Sequence, residues 1–251
     1  TWVLRPRTRA DPNRCRPHRG LCSGHTGPVT DRSFHLYVDS ADTEDLAGIL
    51  PHPLVYGVTT NPTLLRKAGV SPDRLPALLE RILAWGAHAV HVQVGSADED
   101  GMLRDAERAV ALAGPGVVVV KIPATRQGFA AGSRLSARGV PVTYTAVYEP
   151  EQAAFAAMTG AAYAAPYLGR MSDQGGEALA TIARMQALVD RYGTGTRLLV
   201  ASVRSRSDFL SLLDIGVGAI TVPPSLFPVL LDHPATQDAE RTFLDDAQAT
   251  R

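Results

Sequence analysis

From His35 onward the chain alternates between two patterns of hydrophobic and polar positions. Short β-branched or apolar runs occur at His35–Asp39, Val55–Thr60, Ala89–Val94, Val117–Pro123, Pro141–Val147, Ala162–Leu168, Arg197–Ser202 and Ala219–Pro223. Between them, apolar residues recur at three- and four-residue spacing over Asp73–Ala84, Asp98–Leu112, Gly128–Ala137, Glu149–Thr159, Gly176–Arg191 and Ser205–Ile215. That is the period of a helix with one buried face. Several of these segments begin at Ser, Asp or Gly and end near Gly, as helix boundaries do. A last helix is expected over Asp238–Ala249. Eight strands alternating with helices predict an α/β chain, a single (β/α)8 TIM barrel with a C-terminal helix. The rival, an open doubly wound sheet, would usually carry a glycine-rich phosphate loop after its first strand. Here the first strand runs into Val-Asp-Ser-Ala-Asp, and neither the dinucleotide nor the Walker-type glycine motif occurs anywhere.

Residues 1–33 break the pattern. They hold seven arginines, four prolines and no apolar periodicity, so they are expected to be a disordered, Arg-rich extension preceding a catalytic barrel at 34–251. Cys15, His18, Cys22 and His25 are of types that zinc accepts, but their spacing matches no established site and no predicted core surrounds them. No metal is expected. Cys15 and Cys22 are also the chain's only cysteines, which excludes a disulfide scaffold. Basic and acidic residues balance at 25 each, so nothing calls for nucleic acid or an anionic membrane as partner. No apolar run approaches the roughly 20 residues that span a bilayer. The N-terminus lacks the apolar stretch of a secretory signal, and a cytoplasmic protein is expected.

Of the 25 basic residues only Lys67 and Lys121 are lysines. Lys67 follows Arg66 in a polar stretch, as a solvated cation would. Lys121 ends the run Val-Val-Val-Val-Lys-Ile-Pro. An amine placed inside a strand, rather than out in solvent, is a candidate nucleophile toward carbonyls. Barrel enzymes carry their chemistry at the C-terminal ends of strands. The polar residues at those ends are Asp39, Thr59, Asn61, Gln93, Lys121, Thr145, Tyr167, Arg170, Ser202 and Arg204. Taken singly, most have ordinary readings. Asp39 would serve as a helix N-cap, Thr59 to Pro62 as turn chemistry, and the arginines as solvated charges. Only Lys121 resists one.

Together these positions resemble a known family. Val-Asp-Ser-Ala-Asp, Gly-Val-Thr-Thr-Asn-Pro at 57–62, Val-Lys-Ile-Pro at 120–123, Ala-Pro-Tyr-Leu-Gly-Arg at 165–170 and Ala-Ser-Val-Arg at 201–204 are similar to motifs of the transaldolase family. The small bacterial branch that includes fructose-6-phosphate aldolase is the most similar. The resemblance implies a barrel of the class I aldolase type that cleaves or forms the C3–C4 bond of a ketose phosphate without a cofactor. Lys121 matches the Schiff-base lysine, and Asp39 the carboxylate that moves protons at the C4 hydroxyl. Thr59 and Asn61 match groups that hold the dihydroxyacetone unit. Gln93 and Thr145, with Tyr167 beside them, match the holders of a catalytic water. Arg170, Ser202 and Arg204 match a phosphate site. Gln93 and Tyr167 resemble the aldolase branch, where typical transaldolases carry Glu and Phe, while Thr143 stands where transaldolases usually carry Asn. The resemblance also implies a homo-oligomeric ring, a pentamer or decamer, with the segment from Asp238 to Arg251 packed on a neighbour. Two other readings remain open: transfer of the dihydroxyacetone unit to an aldose phosphate, and a non-catalytic sugar-phosphate-binding barrel.

Overall fold

In a computed structural model, which describes residues 34–114, 116–193 and 195–250, the eight expected strands form. They are β1 (His35–Asp39), β2 (Val55–Thr59), β3 (Ala89–Gln93), β4 (Val118–Pro123), β5 (Val142–Val147), β6 (Tyr163–Pro166), β7 (Arg197–Val200) and β8 (Ala219–Val222). All pair in parallel in sequence order and β8 closes on β1, so the chain is a (β/α)8 barrel with a C-terminal helix. The helices are α1 (Thr43–Ala47), α2 (Pro62–Lys67), α3 (Leu75–Ala84), α4 (Glu99–Ala113), α5 (Arg126–Ala137) and α6 (Pro150–Met158). They continue as α7 (Leu168–Asp173), α8 (Ala178–Tyr192), α9 (Arg206–Ile215), α10 (Leu226–Leu231) and α11 (Pro234–Ala249). The extension 1–33, with Cys15, His18, Cys22 and His25, lies outside the described residues. No described helix is long and apolar enough to cross a membrane.

Local chemistry sets the helix ends. Asp98, Thr125 and Ser205 cap α4, α5 and α9 by accepting from backbone N–H groups three residues on, satisfying donors the first turn leaves open. Gly216 ends α9 at φ 82°, in the left-handed region where glycine is unstrained. On α4 the buried residues Met102, Leu103, Ala106 and Ala109 form one stripe against the sheet.

Successive strand residues point to opposite faces, which gives two cores. Leu36, Val38, Val58, Val90, Val120, Ile122 and their outward-facing equivalents pack under the helices. Tyr37, Ala89, Val119, Tyr163, Ala165, Leu199 and Ala219 fill the barrel itself. At Gly57 an added Cβ would lie 2.1 Å from the Ala89 carbonyl oxygen and 3.0 Å from the Tyr37 ring. Only glycine lets β2 come this close to the β3 backbone there.

The barrel floor is polar for a core. The Tyr163 hydroxyl lies 2.8 Å from both His35 Nδ1 and the Tyr37 hydroxyl, and His35 stacks on Tyr56 with ring centroids 3.6 Å apart. Above them His91, fully buried, shares a 3.0 Å hydrogen bond with the Thr143 hydroxyl through Nδ1. Its Nε2 has no hydrogen-bond partner among the described residues. Burial first, then the charges of Lys121 and His35, hold His91 well below the ordinary imidazole value of 6.5. The unfolded chain therefore binds a proton near pH 6.5 that the folded chain refuses, so stability falls as pH drops below that value. The melting temperature is expected to decline from pH 7 to pH 5, and to decline less in His91→Gln. An equal decline in both proteins, by calorimetry, would exclude this cause.

Candidate active site

Three apolar residues, Val118 to Val120, bring β4 through the barrel and leave Lys121 at its C-terminal end, only 4% exposed. Strand register sets Gln93 and Thr143 beside it on the neighbouring strands. The Lys121 amine donates to the Thr60 carbonyl at 3.3 Å. Thr60 is itself fixed: its N–H and its hydroxyl both donate to the His91 carbonyl, at 3.1 and 2.7 Å. The turn after β2 is thus tied to β3 so that one carbonyl faces the amine.

Asp39 ends β1, half-buried, and accepts from the Thr59 hydroxyl at 2.6 Å. A hydroxyl has one proton to give. The 2.7 Å contact between Thr59 and Thr221 therefore has Thr221 donating. This Thr221–Thr59–Asp39 chain aims the carboxylate. Asp39 is not the cap of the following helix; Asp42 is, accepting from the N–H groups of Glu44 and Asp45 at 2.8 and 3.3 Å. Asn61 does cap α2, its side-chain oxygen accepting from Leu64 N at 3.0 Å, which leaves its amide nitrogen for another partner.

Thr145 and the Tyr167 hydroxyl are 2.7 Å apart. Ala146, next to Thr145, has φ 56°, at a bulge where β5 loses register with β6. Bulges of this kind re-aim neighbouring side chains. The Arg170 guanidinium lies over the Tyr167 ring, 4.7 Å from its centroid, a cation–π arrangement. Ser202 is likewise left-handed, φ 60°, and its carbonyl accepts from Gly169 N at 3.0 Å. Two non-glycine residues in this region, both at strand ends on one face, hold strain of a kind that clusters at functional sites. Arg204 does not stand open beside Arg170: Asp173 on α7 takes both of its terminal nitrogens. Gln93 is half-buried and borders a largely apolar cavity of about 620 Å3 lined by Pro62, Leu65, Val92 and Leu112 among others. Neither Lys121 nor Asp39 lines it.

The structure thus links Lys121 to Thr60, Asp39 to Thr59, and Thr145 to Tyr167 and Arg170. Thr60, Thr221, His91 and Asp173 are participants that inspection of strand ends passes over. Thr221 and His91 had a signal in the chain, since each is a polar residue alternating inward in an apolar strand. Thr60 acts through its carbonyl, which no residue type announces.

Fold and site together define a (β/α)8 barrel of the amine-bearing kind, its lysine buried at the face where barrel enzymes work. Comparison with known proteins makes this specific. Residues 36–251 match the family described as transaldolase/fructose-6-phosphate aldolase. The chain is 34% identical over 217 residues to a probable transaldolase of a Caulobacter species, covering 86% of this chain and 98% of the relative. It is 34% identical over 211 residues to a probable transaldolase of Thermoplasma volcanium, with 84% and 94% covered. A probable transaldolase of Caulobacter vibrioides is 33% identical over 217 residues, with 86% and 98% covered. The chain belongs to the transaldolase/fructose-6-phosphate aldolase family.

Proposed function

We propose that the protein is a Schiff-base enzyme that cleaves or forms the C3–C4 bond of a ketose phosphate such as fructose 6-phosphate. The observation that carries this reading is the Lys121 amine, buried at a barrel strand end and held on the Thr60 carbonyl. The amine adds to the C2 carbonyl, and loss of water gives a protonated imine. Asp39, acting through a water, takes the C4 hydroxyl proton as the C3–C4 bond breaks. The bond's electrons pass into the imine, leaving an enamine on Lys121 and releasing glyceraldehyde 3-phosphate. Thr59 and Asn61 hold the three-carbon unit. Gln93, Thr145 and Tyr167 hold the water, and Arg170, Ser202 and Arg204 receive the phosphate. The groups assigned to each step need no metal or organic cofactor.

Two fates are open to the enamine. Protonation and hydrolysis release dihydroxyacetone, as in an aldolase; attack on an aldose phosphate is transaldolase chemistry. The Tyr167 hydroxyl, bonded to Thr145 at 2.7 Å, adds a proton donor and acceptor beside the water and favours the aldolase outcome. The exposed Phe243 and Leu244 of α11 support packing of that helix on a second copy; a ring-shaped pentamer or decamer is what the family resemblance implies.

The test is to supply fructose 6-phosphate with and without erythrose 4-phosphate and measure both products. Free dihydroxyacetone without acceptor is the expected result. Sedoheptulose 7-phosphate formed only with acceptor, and little free dihydroxyacetone, would assign transfer instead. Formation of neither product would contradict fructose 6-phosphate as the substrate.

A further inference from the structure

Arg204 reaches from the end of β7 to α7, where both carboxylate oxygens of Asp173 accept from it, Nη1 to Oδ1 at 2.6 Å and Nη2 to Oδ2 at 2.7 Å. The other edge of the guanidinium is packed against α7: a Cβ on Gly169 would come within 2.6 Å of Arg204 Nε. Arginine offers a planar fork of donors that suits carboxylate and phosphate alike. Here the terminal pair of the fork is taken by a carboxylate of the protein itself. The pairing raises the guanidinium's proton affinity and lowers that of Asp173, each through the other.

Asp173 also stands three residues after Arg170 on α7. Residues at that spacing are neighbours on one helix face. A phosphate dianion that engaged both Arg170 and Arg204 would have to displace Asp173 from Arg204. It would then sit close to a carboxylate of its own sign, which is unfavourable. Competition and repulsion act in the same direction.

We propose that Asp173 is a specificity-determining residue that weakens phosphate binding at this end of the site, biasing it toward substrates of lower negative charge. This rests on the phosphate role proposed above for Arg170, Ser202 and Arg204. Asp173 and Arg204 are both about half exposed, and solvent screens such pairs, so the expected effect is modest.

The test is calorimetric titration of the full chain with inorganic phosphate. Asp173→Asn is expected to bind about two- to fivefold more tightly than the native protein, and adding Arg204→Gln is expected to remove the gain. In turnover, the KM for fructose 6-phosphate should fall by the same factor, while that for dihydroxyacetone, which carries no phosphate, should not. Unchanged or weaker phosphate binding in Asp173→Asn overturns the proposal. So does a gain that survives loss of Arg204, or an absence of phosphate binding in both proteins. The titration needs no chemistry at Lys121, so its failure is distinct from failure of the Schiff-base reading, which is read by trapping the amine.

Discussion

Replacing Lys121 by Met is expected to lower turnover of fructose 6-phosphate by more than about a thousandfold, because the proposed mechanism forms its imine on this amine. The only other lysine, Lys67, lies exposed in the last turn of α2. Lys67→Met is therefore the matched control and should leave turnover intact. Methionine has nearly the length and volume of the lysine stem, so the β4 end remains filled. A melting temperature close to that of the native protein, alongside the lost activity, would separate chemistry from folding. Residual turnover within about tenfold of native would remove Lys121 from the mechanism.

Asp39→Asn carries the second large effect. The carboxamide keeps the shape and an oxygen that the Thr59 hydroxyl can still reach, but it cannot accept the C4 proton as a carboxylate does. A lost general base costs about 10²- to 10⁴-fold, and the loss should appear in kcat with little change in KM. In the proposed sequence imine formation at Lys121 precedes the step assigned to Asp39, so the variant should still be trapped by borohydride in the presence of substrate. Loss of trapping together with turnover would mean that Asp39 acts on imine formation rather than on bond cleavage.

The barrel was legible because its strands are short β-branched runs with turn residues between them, and each observed strand lies within the expected run to a residue or two. What escaped were short elements governed by tertiary contact. The run Ala162–Leu168 reads as one strand, yet β6 stops at Pro166 and α7 starts at Leu168. Tyr167 keeps only a bridge to Ala201, and the backbone turns so that its ring meets Arg170. Helix α10, six residues with a proline inside, has too short a period to show.

In the site, Lys121 was visible because a lysine is out of place in a valine run. Asp39 was ambiguous because an acid after a strand is equally a cap; the structure separates the roles by giving the cap to Asp42. Arg204 could not be read alone, since the carboxylate that occupies it is 31 residues away and arrives through the packing of α7 against the β7 end. The polar floor was hidden for a related reason. His35, His91, Tyr37 and Tyr163 are unremarkable in their separate strands, and only closure of the barrel stacks them beneath Lys121.

The most direct test of the central claim is to reduce the protein with borohydride in the presence of fructose 6-phosphate and map the modified peptide by mass spectrometry. The account predicts one adduct, of a reduced ketose or dihydroxyacetone unit, on Lys121, absent without substrate and absent in Lys121→Met. An adduct on Lys67 instead, or none while turnover proceeds, would contradict it.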